Sequence, residues 1–261
     1  MTKKNKHIEN NYKELSILAS SYGLSFMLKA EDSKTQKFFE YTFEVTNPFV
    51  LSNKLIEIFI ERNLADYTFD KIELIHHHML NTLVPEEFAE EKNLRDLLGA
   101  NIKLLDNDEV IFEPVEAFGA TNIFVPYKRL MKFLSSKTAQ LIPRHSTGVF
   151  LEKTAVERKK HLQFPVFEIY LNIFPEDFQI AVFKNEKLQL YNAFPYENTD
   201  EFLYYLFFVW ETLDISEDKM HVYLSGIDSE NEIVKNLSDF TANYTLLPAV
   251  TPSSVNNYIT G

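Results

Sequence analysis

The histidines near the end of one predicted strand are the first residues in this chain whose types and spacing could do chemistry. His76, His77 and His78 follow one another in a strand predicted over Lys71 to Met79. Alternate side chains of a strand share a face, so His76 and His78 point the same way, and two imidazoles can bind zinc. A zinc site needs at least a third protein ligand, and the strand periodicity supplies none nearby. A structural or surface role is therefore favoured, and no metal ligand is assigned.

A second group with chemical potential is the segment from Pro143 to Gly148, in which His145 and Ser146 are adjacent. Adjacency in sequence does not form a catalytic triad, because the members of a triad come from separate segments that meet in space. The sequence also lacks a Gly-x-Ser-x-Gly turn. A capped turn that opens a helix near Ser146 is the simpler interpretation, and no catalytic residue is assigned.

Composition excludes several classes of function. The chain has 261 residues, 45% of them hydrophobic, with 23 Phe and 13 Tyr, which is ample material for one large or two small buried cores. A net charge of −12 argues against nucleic-acid binding, which needs clustered Lys and Arg. Without cysteine there is no thiol nucleophile, disulfide or thiolate metal site, and this fits a reducing compartment.

No segment of the sequence has the character of a signal peptide or a membrane span. Residues Met1 to Asn11 are polar and rich in lysine, and no apolar stretch follows them. The most apolar run, Phe202 to Trp210, is far too short to cross a bilayer. We therefore expect a cytoplasmic protein that does not insert into membranes.

The second half of the chain predicts the element order βββαβαβ. Its apolar patterns and turn residues indicate three strands, a helix capped by Asn198 with Glu201 as its reciprocal partner, a strand, a helix capped by Ser229 with Glu232, and a last strand. The predicted strands cover Val166 to Ile173, Phe178 to Phe183, Leu188 to Phe194, Met220 to Leu224 and Tyr244 to Leu247. Such an order implies a mixed sheet in which helical crossovers add parallel strands.

The first half repeats the opening of this pattern at an offset of about 150 residues. Three predicted strands precede a helix capped by Asn47, with Pro48 at its first position, and a fourth strand follows. The three strands cover Leu15 to Ala19, Leu24 to Ala30 and Phe38 to Val45. Because the residue identities barely match, the repeat is one of pattern, which predicts two like domains.

Between the repeats, the sequence predicts further elements that belong to the first domain. Glu86 to Leu98 is predicted as a helix whose acidic first turns form a solvated face. The segments Ile102 to Leu105 and Glu109 to Glu113 are predicted to pair as a hairpin. A strand, a helix, a strand and a bridging helix follow, over Thr121 to Val125, Tyr127 to Ser135, Ala139 to Ile142 and from near Ser146. The predicted organisation is a polar arm (1–12), a first lobe with this insertion (13–162) and a second lobe (163–261).

This element order resembles the ribonuclease-H-like domain, and two such lobes resemble the bilobal actin-like ATPase fold. The chain resembles the version of this fold that cytoplasmic scaffold proteins of pilus assembly and type II secretion use. Leu83 to Phe88 resembles the start of the helix after the fourth strand of those scaffolds, and Asn122 to Pro126 resembles a strand of theirs. The chain also resembles a family of uncharacterised bacterial proteins with this fold. The resemblance implies an α/β fold of two βββαβαβ lobes.

The resemblance is weakest where ATP would bind. Members that use ATP carry an Asp-x-Gly type of turn after the first strand of each lobe, in which the carboxylate holds the metal shell and glycine lets backbone N–H groups approach phosphate. The first lobe instead has Ala19 to Gly23, without Asp. The second has Asn172 to Asp177, without Gly and with Pro175, which lacks an N–H donor.

One fragment of a nucleotide site is kept in the sequence. Leu224-Ser225-Gly226 resembles the first half of the adenosine loop of the family, which normally carries a pair of glycines, but Ile227 replaces the second. Ser225 and Gly226 are thus the candidate nucleotide-binding residues. A simple turn from strand to helix is the competing interpretation.

Taken together, the sequence favours a non-catalytic cytoplasmic scaffold that binds an unidentified protein partner and needs no cofactor. One alternative is an actin-like protein that binds or weakly hydrolyses ATP with magnesium through divergent loops. Another is a small-molecule sensor that uses the cleft expected between the lobes. Tyr204-Tyr205 and Phe207-Phe208 place aromatic rings on more than one side of their helix, so a partner-facing position for some of them is an alternative to the core.

Overall fold

The computed structural model of the chain describes residues 12–31, 35–45, 47–160 and 165–247. The predicted N-terminal arm, apart from residue 12, and the predicted boundary between residues 162 and 163 lie outside the described residues. Among the residues that are described, no helix has the length and apolar character needed to cross a membrane.

The chain divides into two compact units. The first unit contains Met1–Glu113 and Thr121–Ser146, and the second contains Pro114–Ala120 and Thr147–Gly261. The short segment of residues 114–120 therefore belongs to the second unit, although both of its flanks belong to the first.

The first unit is built on a five-stranded mixed sheet. Strands β1 (Tyr12–Ser20), β2 (Gly23–Ala30) and β3 (Gln36–Thr42) form an antiparallel meander, and helix α1 (Pro48–Glu61) leads to β4 (Phe69–His76). Strand β4 lies parallel to β1 on one side and to β8 (Thr138–His145) on the other, which gives the order β3-β2-β1-β4-β8. Strand β1, in the middle of the sheet, is buried from residue 15 to residue 20, as expected for a strand covered on both faces, whereas the outer strand β8 is only partly buried.

A smaller sheet is inserted before the last strand of this unit. It has the order β5-β7-β6. The elements that follow β4 along the chain are β5 (Asn81–Pro85), α2 (Leu94–Gly99), β6 (Ile111–Val115), β7 (Ala120–Phe124), α3 (Lys128–Leu134) and β8 (Thr138–His145). Of these, β8 returns to the five-stranded sheet.

The second unit repeats the five-stranded sheet. Its elements are α4 (Ser146–Arg158), β9 (Phe167–Ile173), β10 (Asp177–Lys184), β11 (Lys187–Pro195), α5 (Thr199–Thr212), β12 (Met220–Ser225), α6 (Glu232–Ser238) and β13 (Tyr244–Leu246). The order β11-β10-β9-β12-β13 matches that of the first unit, with β12 parallel to both β9 and β13. The duplicated strand and helix pattern predicted from the sequence is confirmed.

The two long helices begin where the asparagines predict. The Oδ1 of Asn47 accepts from the N–H of Phe49 (2.9 Å) and of Val50 (3.3 Å), and Pro48 occupies the first turn. The Oδ1 of Asn198 accepts from the N–H of Glu201 (3.0 Å), which satisfies one of the free donors of α5. The predicted cap of α6 at Ser229 is wrong, because Asn231 accepts from the N–H of Ile233 instead.

The predicted single helix over residues 86–98 is also wrong. One-turn 3-10 helices cover Glu86–Phe88 and Glu91–Asn93, and the α-helix begins only at Leu94. The side chain of Asn93 explains the break, because its Oδ1 accepts from the N–H of Glu90 and its Nδ2 donates to the carbonyl of Phe88. Those backbone groups are thereby satisfied outside a continuous helix.

The predicted hairpin of residues 102–113 does not form either. Arg95 donates to the carbonyls of Leu105 (2.7 Å) and Asp108 (2.8 Å), and the Asp108 carboxylate accepts from the N–H of Leu105. These bonds hold residues 105–108 as a loop, and β6 pairs with β7 instead.

We expect Asn198→Ala to lower the free energy of unfolding by about 1 kcal/mol, because one N–H of the first turn of α5 loses its acceptor. The matched control is Asn198→Asp, which keeps an acceptor oxygen at the same position and should stay close to the wild type. Urea denaturation of the three proteins measures the effect. An Ala variant with the stability of the Asp variant would contradict this role of Asn198.

Candidate functional site

The first hairpin turn, residues 20–23, uses its glycine for packing within the sheet. Gly23 has φ +149°, and a Cβ at this position would lie 2.1 Å from the carbonyl oxygen of Tyr41 on β3. The hydroxyl of Ser20 donates to the Gly23 carbonyl (3.2 Å). Tyr22 is buried, and its ring centroid lies 5.9 Å from that of His77. An aromatic side chain thus occupies the turn in which an ATP-using relative would place its carboxylate and glycine.

The second hairpin turn, residues 174–176, has its polar groups engaged within the fold. Phe174 is only 2% exposed, and its N–H donates to the carbonyl of Asp177 (2.9 Å). The hydroxyl of Tyr196 donates to the Phe174 carbonyl. Pro175 has no N–H to offer. This arrangement gives the turn a structural role in joining β9 to β10.

The candidate nucleotide-binding residues Ser225 and Gly226 lie at the end of β12, next to the end of β9. The hydroxyl of Ser225 is 3.0 Å from two acceptors, the carbonyl of Leu171 and the Oδ1 of Asn172. Gly226 has φ +95°, and a Cβ there would lie 2.1 Å from the carbonyl oxygen of Ile173. Both residues therefore have clear structural roles in holding the turn after β12 against β9.

A cluster of histidines closes one edge of the sheet in the first unit. Strand β4 ends at His76, and β8, its parallel neighbour, ends at His145 in the same register. The ring of His78 lies 5.0 Å from that of His145 and 6.3 Å from that of His76. Tyr127 stacks on His76 at 5.4 Å and meets His78 edge-on at 5.0 Å. We call His76, His78, His145 and Tyr127 the histidine cluster.

Hydrogen bonds to the backbone fix the tautomers of these rings. The Nδ1 of His76 donates to the carbonyl of Arg144 (2.8 Å), and the Nε2 of His145 donates to the carbonyl of His78 (3.1 Å). The Nδ1 of His78 accepts from the N–H of Leu80 (3.2 Å). In the described part of the chain, no group of three His, Cys, Asp or Glu is arranged to hold a metal ion.

Burial keeps the histidine cluster neutral. It lowers the pKa of His76 to about 4 and, with the neighbouring histidines adding to the effect, the pKa of His78 to about 3. The pKa of His145 is likewise well below its ordinary value because this ring is fully buried. In the low dielectric of the interior, a charged imidazole would lose its hydration without gaining a carboxylate partner.

The sequence places His145 beside Ser146, but the structure pairs Ser146 with a different histidine. The Oγ of Ser146 lies 2.8 Å from the Nδ1 of His77. Both side chains are buried, and Ser146 has no exposed surface at all. A nucleophile must meet its substrate, so this contact is best understood as a bond that fixes the start of α4.

A buried ion pair next to the histidine cluster was not expected from the sequence. The Nε of Arg144 donates to the Oε2 of Glu113 (2.5 Å). The Oε1 of Glu113 accepts from Asn122 and from the N–H of His145, both at 3.0 Å. Burial raises the pKa of Glu113, while Arg144 and these donors oppose the rise. The spacing of residues 113, 122 and 144 gives no signal that could have predicted this network, because its members come from three separate strands.

The comparisons with known proteins agree with this fold. A family profile with the description "Protein of unknown function (DUF3822)" matches residues 2–244. The chain belongs to the DUF3822 family. No curated protein matches it.

Two solved structures show the architecture of this DUF3822 protein. A Bacteroides thetaiotaomicron protein with an actin-like ATPase fold and unknown function superposes with a TM-score of 0.82 at 20% identity, with 97% of each chain covered. A chain of the PilM–PilN type IV pilus biogenesis complex gives a TM-score of 0.59 at 12% identity, over 91% of this chain and 88% of that chain. The protein therefore has the actin-like ATPase fold, as its element order predicts.

We expect Gly226→Ala to destabilise the protein far more than Gly119→Ala. Both glycines have positive φ, but nothing lies within 4 Å of a Cβ added at Gly119. The Gly119 variant should therefore lose only the cost of a left-handed backbone, about 1–2 kcal/mol, whereas the Gly226 variant must also displace the Ile173 carbonyl. Chemical denaturation of both proteins measures the difference. Equal losses would show that close packing does not determine the glycine at 226.

We also expect the free energy of unfolding to fall as the pH drops below the ordinary histidine value of 6.5. Below pH 6.5 the histidines of the unfolded chain become protonated, whereas the buried histidines of the folded chain stay neutral. Each such histidine therefore lowers the free energy of unfolding by about 1.4 kcal/mol per pH unit until the pH reaches its pKa in the folded protein. His78→Asn, which keeps an acceptor for the N–H of Leu80, should flatten this dependence between pH 6.5 and 4. Gly119→Ala, which changes no titratable group, is the control and should leave the slope unchanged.

Denaturation curves at a series of pH values measure the slope. A wild-type slope that persists in His78→Asn would contradict the assignment of this ring as a buried neutral group.

Proposed function

We propose that this protein is a non-catalytic scaffold that keeps the actin-like ATPase fold and binds a protein partner. The observation that carries the proposal is the second hairpin turn, where the Phe174 N–H donates to Asp177 and Pro175 has no N–H. A phosphate cradle depends on free backbone donors at this turn, and the local bond engages the donor of Phe174 while the sequence removes that of Pro175.

The first hairpin turn supports the same proposal. The site of the family's carboxylate holds a serine and a buried tyrosine, and Gly23 is required by the closeness of the Tyr41 carbonyl. At the third position, Ser225 and Gly226 have structural partners on β9. Each of the three places where the family resemblance implies nucleotide contacts thus has a packing explanation.

The binding of a protein partner is proposed by analogy with another protein of this fold. A chain with this fold is part of the PilM–PilN type IV pilus biogenesis complex, which is an assembly of two proteins. A fold that has lost its ligand loops retains large rigid surfaces, and function resides in such surfaces rather than in the fold itself. We therefore propose that a protein, rather than a nucleotide, is the ligand of this chain.

Isothermal titration with ATP and with ADP, each in the presence of magnesium, tests the proposal. We expect neither binding heat nor a shift of the melting temperature. The Pro175→Gly variant should behave in the same way, because restoring one residue supplies neither the carboxylate nor the facing loop. Micromolar binding by the wild type would support the rival hypothesis of an ATP-binding actin-like protein, and binding by Pro175→Gly alone would show that the proline is the main obstacle.

A further inference from the structure

Helix α5 has a second apolar face in addition to the one that fills the core. Its buried side is made by Phe202, Leu203, Leu206 and Val209. On the opposite side, Tyr204 is 64% and Phe208 is 51% exposed, and these residues lie one helical turn apart. The core therefore does not account for these two rings.

Phe240, just beyond α6, extends this exposed face. It is 50% exposed, and its ring lies 4.7 Å from that of Phe207 on α5. We call Tyr204, Phe207, Phe208 and Phe240 the aromatic patch. Contiguous exposed rings of this kind mark interaction sites more often than chance, because leaving them in water has a free-energy cost.

The charged residues that flank the rings of the aromatic patch in the sequence are acidic. Asp200 precedes Tyr204 by one turn and Glu211 follows Phe208 by one turn, so both lie on the same side of α5. Asp239 directly precedes Phe240, and all three acidic residues are exposed. There is no Lys or Arg from residue 199 to residue 218. The basic residue of α6, Lys235, is paired with Glu230 at 3.4 Å.

The exposed rings and the acidic groups beside them together indicate which kind of partner the aromatic patch can bind. The whole chain has a net charge of −12, so a second copy would bring like charges to an acidic rim. An anionic membrane surface would be repelled for the same reason. A basic segment with an apolar face satisfies both features, since its apolar side chains would cover the rings and its cations would meet the carboxylates and the faces of the rings.

We propose that the aromatic patch is the docking surface for a basic amphipathic segment of a partner protein. The inference rests on the proposed scaffold function and specifies which surface is used and what chemistry the partner carries. The apolar side chains of the segment, spaced as on one face of a helix, lie on the rings of α5. Its Lys and Arg side chains lie over Asp200, Glu211 and Asp239.

The chain contains a natural reporter for this event. Trp210 is the single tryptophan of the sequence, and its ring lies 5.1 Å from that of Phe207 in the aromatic patch. Binding at the patch should change the fluorescence of Trp210 directly, without a label.

The experiment titrates the full-length protein with a synthetic peptide of about 18 residues, about five helical turns, made of Leu and Lys in an amphipathic pattern. A peptide with Glu in place of Lys and a peptide with Ser in place of Leu are the matched probes. Trp210 fluorescence and calorimetry follow binding. We expect the Leu and Lys peptide to bind, with an affinity that falls as the salt concentration rises. The affinity of each of the other two peptides should be lower by about tenfold or more.

The variants locate the site. Tyr204→Ala with Phe208→Ala should weaken binding by about tenfold or more, as for rings at the centre of an interface. Asp200→Asn with Glu211→Gln should also weaken binding and reduce its dependence on salt. The control is Phe88→Ala in the first unit, since Phe88 is similarly exposed at 55% and should not affect binding.

Several outcomes would overturn the inference. Binding of the Leu and Lys peptide that survives the Tyr204 and Phe208 changes would place its site elsewhere. Equal binding of the Glu or Ser peptides would remove the chemical selectivity. If the wild type dimerises and the Phe208 variant does not, the patch binds a second copy of this chain. If the protein binds vesicles of anionic lipid and the patch variants do not, the patch binds a membrane surface. Failure of this test without nucleotide binding overturns only the docking surface, whereas nucleotide binding overturns the scaffold function itself.

Discussion

The close approach of two backbones at the end of the parallel strands is the constraint on which much of this structure depends. In the second unit, the turn after β12 passes so near the Ile173 carbonyl that a side chain at position 226 would overlap it. The same approach brings Ser225 to Leu171 and Asn172, and so anchors β12 beside β9. In the first unit, Gly23 approaches the Tyr41 carbonyl equally closely, here between the antiparallel strands β2 and β3. Close packing within the sheets is thus enough to explain why glycine occupies these positions, although the sequence around them suggests a ligand loop.

The edge of the sheet where ligands usually bind carries the histidine cluster in the first unit. In open α/β sheets, ligands lie beyond the carboxyl ends of the parallel strands. Here Ala19, next to the last residue of β1, lies in one register row with His76 and His145, the last residues of β4 and β8. The rings of Tyr127 and Phe124 pack on the histidines, and the ion pair of Glu113 with Arg144 lies behind them. These side chains therefore lie at the edge of the sheet where ligands of open α/β sheets usually bind.

The sequence allowed the order of elements to be predicted, because that order depends on local signals. The caps at Asn47 and Asn198 act within three residues, and the apolar periodicity of the strands and of α5 is continuous. The structure differs where a side chain acts over a distance or competes with the backbone. Asn93 divides the predicted helix of residues 86–98, and Arg95 holds as a loop the residues predicted to form a hairpin. Neither effect changes the hydrophobic pattern from which the predictions were made.

The site was predictable only in part for the same reason. The loss of the Asp-x-Gly pattern is local and visible in the residues around Tyr22 and Pro175. The meeting of His78 with His145, and of His77 with Ser146, joins segments almost 70 residues apart, with separations of 67 and 69 residues. The parallel pairing of β4 with β8 brings these residues together. The sequence of one strand does not show which strand it pairs with, so these contacts could not be predicted.

Hydrogen exchange at the Phe174 amide, followed by NMR with and without magnesium and ATP, measures whether this backbone donor is available to a phosphate. This N–H is held by the Asp177 carbonyl within the turn that would otherwise face phosphate. The account predicts slow exchange in the free protein and the same rate when the nucleotide is added. Fast exchange in the free protein that becomes slow with ATP would contradict it, because the donor would then be available and the turn would still hold a phosphate.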